Sequence, residues 1–201
     1  MDNNTPYNGG LTREQFLFYE TRTVARLMTE GLSDEEIIEK VITENLFQNP
    51  TEKMLKNLAT VCCNRLHAME DDDLVAAIAS QSYDVAKQIC LYAMMKQYRL
   101  MWEFMITVVG EKYRMLDMSF GNIDMNTFFM RLQEQDETVA SWKESTIQKL
   151  KQVLKKVLIE NEYLDGPRAD HLNPVMISSI LESAIREKGE EIMLPAFNCL
   201  Y

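Results

Sequence analysis

Glycine and proline are scarce in this chain, which has 7 glycines and 5 prolines among 201 residues. A sandwich or barrel of many short strands needs more turn residues than this, and collagen-like or low-complexity chains need far more. With 46% hydrophobic and 26% charged residues, the composition is that of a globular chain long enough to bury a core. The composition therefore argues against an all-β fold and against disorder.

Residues that build metal sites or disulfide frameworks are also few. The four cysteines, of which two are adjacent and none has C-x-x-C spacing, are Cys62, Cys63, Cys90 and Cys199. The two histidines, His67 and His171, lie far apart in sequence. This pattern predicts reduced thiols, no bound metal and no cofactor.

Positive charge is in deficit, because 21 lysines and arginines oppose 31 acidic residues and leave a net charge of −10. Such a chain repels polyanions on average, so binding to nucleic acid requires basic residues concentrated on one face. The start, Met1 to Pro6, lacks the basic and apolar regions of a signal peptide. Charged residues interrupt the most apolar stretch, Ile89 to Gly110, which is therefore not expected to cross a membrane. We expect a cytoplasmic protein.

Helix start and stop signals, in contrast, recur along the whole chain. Ser33 and Glu36 have the spacing of a capping box, as do Thr12 and Gln15, and Gly31 is placed to end a helix. Between these signals, apolar residues recur every three to four positions. The pattern predicts an all-α fold, a compact bundle of about nine helices without an internal repeat.

Some predicted boundaries are specific. The first helix is expected to run from the Thr12 cap to Glu30 and the last from Pro174 to Lys188, before a short extended tail, Ile192 to Tyr201. The clearest internal boundary contains Gly121 and separates an N-terminal helical subdomain, 1–118, from a C-terminal one, 119–201, packed as one globular unit.

Methionine is frequent near the middle of the chain, where Tyr98 to Met118 is predicted to be the most buried helix. Flexible methionine side chains fill irregular core gaps, and we expect that role for the local cluster. Its members are Met94, Met95, Met101, Met105, Met115 and Met118.

No catalytic signature is present, since the chain has no P-loop, dinucleotide-binding, nucleophile-elbow or H-E-x-x-H motif. Cys63 and His67 would share one helix face at an i, i+4 spacing, but no third residue in the pattern orients the pair. The two residues fit the core side of an ordinary helix. We therefore expect a protein that is not an enzyme.

The segment from Trp142 to Lys156 carries five lysines against Glu144 alone, a net +4 inside a chain of −10. The lysines are Lys143, Lys149, Lys151, Lys155 and Lys156. An apolar stripe, including Leu150 and Leu154, leaves the lysines facing solvent, and Ser145 and Thr146 fall at the predicted helix start. Hydroxyls, helix N-terminal N–H groups and lysines together suit contact with phosphates. A merely solvated lysine face is the alternative interpretation.

A second candidate site is the predicted helical pair Ser33–Asn45 and Thr51–Met69. In a helix-turn-helix, the early residues of the second helix reach base edges in the major groove, and here these are Glu52, Lys53, Lys56 and Asn57, with Arg65 further on. The connection is longer than the usual turn and lacks glycine, and nearby acidic residues would repel phosphate. Ordinary packing of a helical hairpin therefore remains the competing interpretation.

Several segments, taken in order, resemble a known family. They are Tyr7-Asn8-Gly9-Gly10-Leu11-Thr12, Thr43-Glu44-Asn45-Leu46-Phe47-Gln48-Asn49-Pro50-Thr51, Ala140-Ser141-Trp142-Lys143-Glu144-Ser145-Thr146, Lys149-Leu150-Lys151-Gln152-Val153-Leu154 and Asn161-Glu162-Tyr163-Leu164. Together they resemble the BrxA family of the bacterial BREX phage-defence systems. The resemblance extends in collinear order from about Tyr7 to Leu194 and depends on the combination, since no segment is a catalytic signature.

The resemblance implies a non-enzymatic, all-helical protein similar in fold to the antitermination factor NusB, in a family associated with double-stranded DNA. It also implies partners within the BREX system, namely a methyltransferase, an AAA+ ATPase and a phosphatase-like protein. The family's motif matches positions Trp142–Leu154, so the resemblance implies that the DNA contacts lie in the lysine-rich segment. The acidity of this chain departs from what a DNA-binding protein needs.

Three functions stay open at this point. The first is duplex-DNA binding, mainly through phosphate contacts from the lysine-rich helix. The second is a protein–protein adaptor without DNA binding of its own, whose acidic surface docks basic patches of other BREX subunits. The third is RNA binding by analogy with the NusB-like fold, for which the sequence offers no aromatic stacking platform.

Overall fold

The computed structural model describes residues 6–200, and the regular structure in that range is helical except for one isolated bridge between Ser119 and His171. The α-helices are α1 (Phe18–Thr29), α2 (Asp34–Thr43), α3 (Glu52–His67), α4 (Asp72–Ser80), α5 (Tyr83–Gln97), α6 (Arg99–Phe104), α7 (Glu111–Arg114), α8 (Asn122–Gln135), α9 (Glu137–Ala140), α10 (Glu144–Glu160) and α11 (Ser179–Glu187). A π-helical turn, Met105–Gly110, joins α6 to α7, and 3-10 helices span Gly10–Thr12 and Glu191–Phe197. The all-α prediction is confirmed.

The chain divides into two compact units. One unit is Phe16–Gln97 and contains α1 to α5, and the other combines Met1–Gln15 with Tyr98–Tyr201 and contains α6 to α11. These divisions fall at other positions than the predicted boundary between 118 and 119, and the predicted pair of subdomains stays a prediction. The likeness to NusB also stays a prediction.

In the unit formed by Phe16–Gln97, α3 contacts α1, α2 and α5. Its buried face carries Leu55, Ala59, Cys62 and Leu66. The guanidinium of Arg65 is also buried and donates a 2.8 Å hydrogen bond to the Phe16 carbonyl, which fixes α3 to the start of α1. Burial of one side of α3 leaves its opposite side facing solvent.

In the other unit, α10 supplies a broad apolar face. The predicted stripe is buried, and Val153 extends it; the buried residues are Ile147, Leu150, Val153, Leu154, Val157 and Leu158. The π-helical turn packs against the 3-10 helix Glu191–Phe197, and the close approach of the two backbones favours glycine at position 110. A Cβ at Gly110 would lie 3.2 Å from the Ala196 nitrogen and 3.4 Å from the Pro195 carbonyl carbon.

The local start and stop signals around α2 are confirmed. Ser33 and Glu36 form the predicted capping box, and Gly31 ends α1 with a φ of +90°, a conformation that glycine adopts without steric penalty. The predicted start of the first helix is wrong. The Thr12 hydroxyl donates to the Gly9 carbonyl instead of accepting from a helix, and Leu17, at φ 53°, delays α1 until Phe18.

The predicted secondary structure of the last part of the chain is also wrong. The last α-helix does not begin at Pro174, because the Ser178 hydroxyl accepts the Leu181 N–H and starts α11 at Ser179. The expected extended tail instead contains a 3-10 helix, whose threefold repeat puts buried Leu194 and Phe197 on one side. Tyr201 lies outside the described residues, as does the predicted signal-free start at positions 1–5.

Four of the six residues of the methionine cluster are core. Met94, Met95, Met101 and Met105 are buried and Met118 is half-buried, whereas Met115 is 75% exposed, so its predicted core role is wrong. Met115 follows the last residue of α7 and faces away from the packed side of that helix.

No helix formed by residues 6–200 combines the length and the apolar character that a membrane span requires. The cytoplasmic location stays a prediction. Within the same range, no group of three or more histidine, cysteine or acidic residues is arranged to hold a metal ion.

Candidate nucleic-acid interface

The lysine-rich segment forms α10, a helix of 17 residues. Lys143 is its N-cap residue, so Ser145 and Thr146 lie in the first turn, close to the predicted start. Glu144 occupies the same turn, where a carboxylate is favoured by the helix dipole, and it accepts a 2.6 Å hydrogen bond from Gln148. The N-terminus of this helix therefore combines backbone N–H groups, hydroxyls and one acidic side chain.

The lysines of α10 lie on both edges of its exposed face. At about 100° per residue, Lys149 and Lys156 fall on one side of the apolar stripe and Lys151 and Lys155 on the other. Gln152 lies between the two pairs on the outermost line of the helix. Positive charge thus borders a polar strip along the whole outer face.

Contacts within the protein divide these lysines into two groups. Lys151 donates to Asn126 Oδ1 at 2.8 Å, and its Nζ lies 5.7 Å from the centre of the Phe129 ring. Lys156 donates to Gln15 Oε1 at 2.8 Å and lies 3.5 Å from a Glu160 carboxylate oxygen. These two lysines are held by neighbouring side chains and are less available to a ligand.

The other lysines of the helix are more available. Lys143 and Lys149 are exposed and Lys155 is half-buried, and none of the three forms a hydrogen bond or ion pair with another residue of the range 6–200. A lysine without an internal partner keeps its full charge for an external phosphate. The three together are the chemically most available cations of the predicted site.

The second predicted site lies on α3, which starts at Glu52 with Thr51 as its cap. Lys53, Lys56 and Asn57 are all exposed, as the helix-turn-helix hypothesis requires, but its expectation for Arg65 is wrong, because that side chain is buried against the Phe16 carbonyl. This site belongs to the Phe16–Gln97 unit, whereas α10 belongs to the other unit. The structure therefore places the two groups of predicted residues on separate compact units.

The exposed face of α3 extends further than the sequence prediction. At helical spacing, one continuous strip of exposed side chains without a carboxylate comprises Lys53, Lys56, Asn57, Thr60 and Asn64. The amides of Asn57 and Asn64 form no hydrogen bond within residues 6–200, whereas the Thr60 hydroxyl donates to the Lys56 carbonyl at 2.9 Å. Asn64 was missed, although its spacing of seven residues from Asn57 was a readable signal.

The connection between α2 and α3 distinguishes this pair from a tight helix-turn-helix. Eight residues, 44–51, separate the helices, against the usual three or four. Asn45 and Gln48 supply the left-handed positions at φ 48° and 51°, and Asn45 Oδ1 accepts the Asn49 N–H at 2.9 Å. The two helices nevertheless pack against each other, so the pair is a helical hairpin with an ordered loop.

His67 and Cys63 do not form an activated pair. The Nε2 atom of His67 lies 3.0 and 3.1 Å from the two carboxylate oxygens of Asp34. Burial, reinforced by the negative charge of Asp34, raises the pKa of the Cys63 thiol to about 12. Asp34 is thus the third group that the sequence did not reveal, but it opposes thiolate formation and links the ends of α2 and α3.

The fold and the candidate site together define an all-helical protein with a lysine-bordered helix on one unit and a carboxylate-free polar helix face on the other. Comparison with known proteins identifies its family. The chain belongs to the BrxA family, which it matches over residues 5–189. The family resemblance read from the sequence is thereby confirmed.

Individual relatives support this assignment. The chain is 35% identical over 190 residues to the BREX protein BrxA of Bacillus cereus, covering 94% of both chains. It is 25% identical over 175 residues to the BREX protein BrxA of Paramagnetospirillum magneticum, covering 87% of both chains. The BREX protein BrxA of Escherichia coli O9:H4 is 22% identical over 194 residues, covering 96% of this chain and 91% of that protein.

The same fold has been observed in a crystal structure of an uncharacterized protein from Magnetospirillum magneticum. That structure matches with a TM-score of 0.81 and 23% identity, and the match covers 96% of this chain and 98% of the other. At this identity the match shows the shared fold.

Proposed function

We propose that this chain is the component of a BREX phage-defence system that binds double-stranded DNA, without catalysing a reaction of its own. The main contacts are phosphate contacts from α10, through Lys143, Lys149 and Lys155. Ser145 and Thr146 add hydroxyl donors and Ser145 adds its backbone N–H at the start of the helix, and Lys151 and Lys156 contribute long-range attraction. The observation that carries the proposal is the set of three α10 lysines without an internal partner within residues 6–200.

Counterion release explains how such a helix can act in an acidic chain. Each phosphate that a lysine neutralises frees condensed cations from the duplex, and this gain depends on local contacts rather than on net charge. The net charge of −10 still opposes the approach of DNA, so the affinity is expected to be modest and strongly dependent on salt.

The α3 strip has a second role in the proposal. Its lysines, Lys53 and Lys56, suit phosphates, whereas the free amides of Asn57 and Asn64 suit the paired donor and acceptor on the major-groove edge of adenine. The strip itself carries no carboxylate, but exposed Glu52 in the first turn of α3 lies beside it and opposes phosphate there. We therefore assign sequence discrimination to α3 and most of the affinity to α10.

The adaptor function is the alternative, and the acidity of the chain favours it. An acidic surface attracts basic patches of proteins and weakens any contact with DNA. The adaptor makes no phosphate contacts, so the two functions differ in how binding to a duplex depends on salt.

The test is a fluorescence anisotropy titration of a labelled duplex of about 25 base pairs at several salt concentrations, in which each phosphate contact contributes about −0.9 to the slope of log K against log salt. We expect binding at low salt with a slope of about −2.7, corresponding to three contacts. Unchanged anisotropy at low salt, together with co-purification with another BREX subunit, would instead establish the adaptor.

A further inference from the structure

A surface groove lies between α8 and the stretch that runs from the π-helical turn into α7. Its volume is about 260 Å³, and all of its lining residues belong to one compact unit. The lining includes Thr107, Lys112 and Met115 from one side and Thr127 and Arg131 from α8. None of the DNA contacts assigned above involves this groove.

Large apolar side chains are exposed in and beside the groove. Met115 lines it and is 75% exposed, its sequence neighbour Leu116 is 76% exposed, and Ile123, which precedes the lining residue Asp124, is 80% exposed. Such side chains contribute nothing to the core in these positions. Clustered exposure of this kind is typical of surfaces that another protein covers.

Leu116 is also in an unfavourable backbone conformation. Its φ of 55° lies in the left-handed region, where glycine or asparagine normally ends a helix and leucine is disfavoured. The Asp117 N–H donates a hydrogen bond to the Lys112 carbonyl, and this bond closes the end of α7 around Leu116. Neither the backbone conformation nor the core explains a leucine at this position, which favours a role for its side chain in binding.

The charges around the groove are paired, with one exception. The Lys112 Nζ atom lies 3.0 Å from Asp117 Oδ2 and 2.9 Å from Asp124 Oδ1. The Arg114 Nη1 atom lies 2.5 Å from Glu111 Oε1. In these pairs two cations face three carboxylates, because Lys112 is shared by Asp117 and Asp124, and Arg131 is the other cation of the groove lining.

Arg131 has no carboxylate partner within residues 6–200. Its guanidinium donates to the Thr107 hydroxyl at 2.7 Å and lies 5.8 Å from the centre of the Phe128 ring, and its buried Nε atom has no hydrogen-bond acceptor in that range. A half-buried guanidinium without a counter-ion is complementary to a carboxylate brought by a ligand.

We propose that this groove binds a segment of a partner protein in which a carboxylate is flanked by apolar side chains. The carboxylate pairs with Arg131, and the apolar side chains cover Met115, Leu116 and Ile123. A nucleic acid fits less well, since its phosphates present no apolar surface to these three exposed side chains. This inference is independent of the proposed DNA binding.

The test uses purified BREX subunits encoded with this chain, mixed one at a time with a variant that carries the photo-crosslinker benzoylphenylalanine at position 116. The same crosslinker at position 176, where Met176 is 85% exposed and is not part of the groove lining, is the control. We expect position 116 to crosslink to one subunit, at a segment containing acidic and apolar residues identified by mass spectrometry. Crosslinks only to a second copy of this chain, or equal capture from position 176, would overturn the proposal.

Two substitutions separate binding from folding. Arg131→Gln should weaken the complex with the captured subunit by about tenfold or more, as loss of a charge-assisted contact does. Leu116→Asn should raise the melting temperature, because asparagine tolerates the left-handed conformation, and should nevertheless weaken the same complex. Unchanged affinity for the subunit in Leu116→Asn, or reduced affinity for duplex DNA in either variant, would contradict the assignment of the groove.

Discussion

Removing one lysine from each edge of the outer face of α10 should reduce the salt dependence of DNA binding by a calculable amount. Lys149 and Lys155 lie on opposite edges of the helix and have no internal partner within residues 6–200. Since each phosphate contact contributes about −0.9 to the slope of log K against log salt, the double variant Lys149→Gln/Lys155→Gln should lower the magnitude of the slope by about 1.8.

The same relation predicts how much the affinity for DNA falls when the salt concentration rises. For three contacts, raising the salt from about 50 to about 200 mM should weaken wild-type binding about 40-fold, and for the single contact left in the double variant about 3.5-fold. Lys151→Gln should have a smaller effect, because its ammonium group already donates to Asn126. The assay is fluorescence anisotropy with one duplex throughout, and circular dichroism verifies that the variants keep their helical content.

The matched control changes the net charge equally at other positions. Arg168 is exposed in the connection that precedes α11, and Lys188 follows the end of that helix. Arg168→Gln/Lys188→Gln should leave the slope unchanged. An equal loss of slope in the control would show that overall charge, and not α10, governs binding, and an unchanged slope in the α10 variant would refute the phosphate contacts.

Three further results follow from the structure. Asn57→Ala should reduce the discrimination between a preferred and a scrambled duplex by about 1–3 kcal/mol in competition titrations, with the salt slope unchanged; a changed slope would make Asn57 a phosphate contact. Leu150→Ala, which empties a fully buried position of α10, should lower the free energy of unfolding in urea by about 2–5 kcal/mol, and a loss below that range would mean that the site collapses. Burial raises the pKa of Cys62 to about 11 and that of Cys63 to about 12. A thiol reagent at pH 8 should therefore label half-exposed Cys199 first, and equal labelling of all three thiols would contradict this burial.

The features that the sequence predicted correctly depend on local chemistry. The Ser33 capping box and the Gly31 helix end each involve residues within one turn of each other, so their spacing is sufficient evidence. The apolar stripe of α10 was similarly readable, because one helix with a three-to-four repeat has one buried face. The family resemblance added what the spacing alone could not supply.

The predictions that failed depend on competition between local alternatives. Thr12 and Gln15 have the spacing of a capping box, but the Thr12 hydroxyl donates to Gly9 in a 3-10 turn and Leu17 adopts a left-handed conformation. Met115 belongs to a methionine-rich stretch, yet it follows the end of a helix and is exposed. A composition count does not distinguish a core position from a position at a helix end.

The candidate site required long-range information. The sequence ranks the five lysines of α10 equally, whereas their availability depends on Asn126, which lies 25 residues away from Lys151, and on Gln15, which lies 141 residues away from Lys156. The unpaired charge of Arg131 likewise becomes visible only when α8 is placed against the stretch that contains Thr107. Spacing rules do not report contacts across such separations.

Lysine footprinting tests the central claim most directly. The protein is labelled with an amine-reactive reagent with and without a duplex of about 25 base pairs at low and at high salt, and the labelled peptides are quantified by mass spectrometry. The account predicts that the duplex protects Lys143, Lys149 and Lys155 at low salt, that high salt removes this protection, and that Lys188 is labelled equally in all conditions. Equal labelling of the α10 lysines with and without bound duplex would contradict the account.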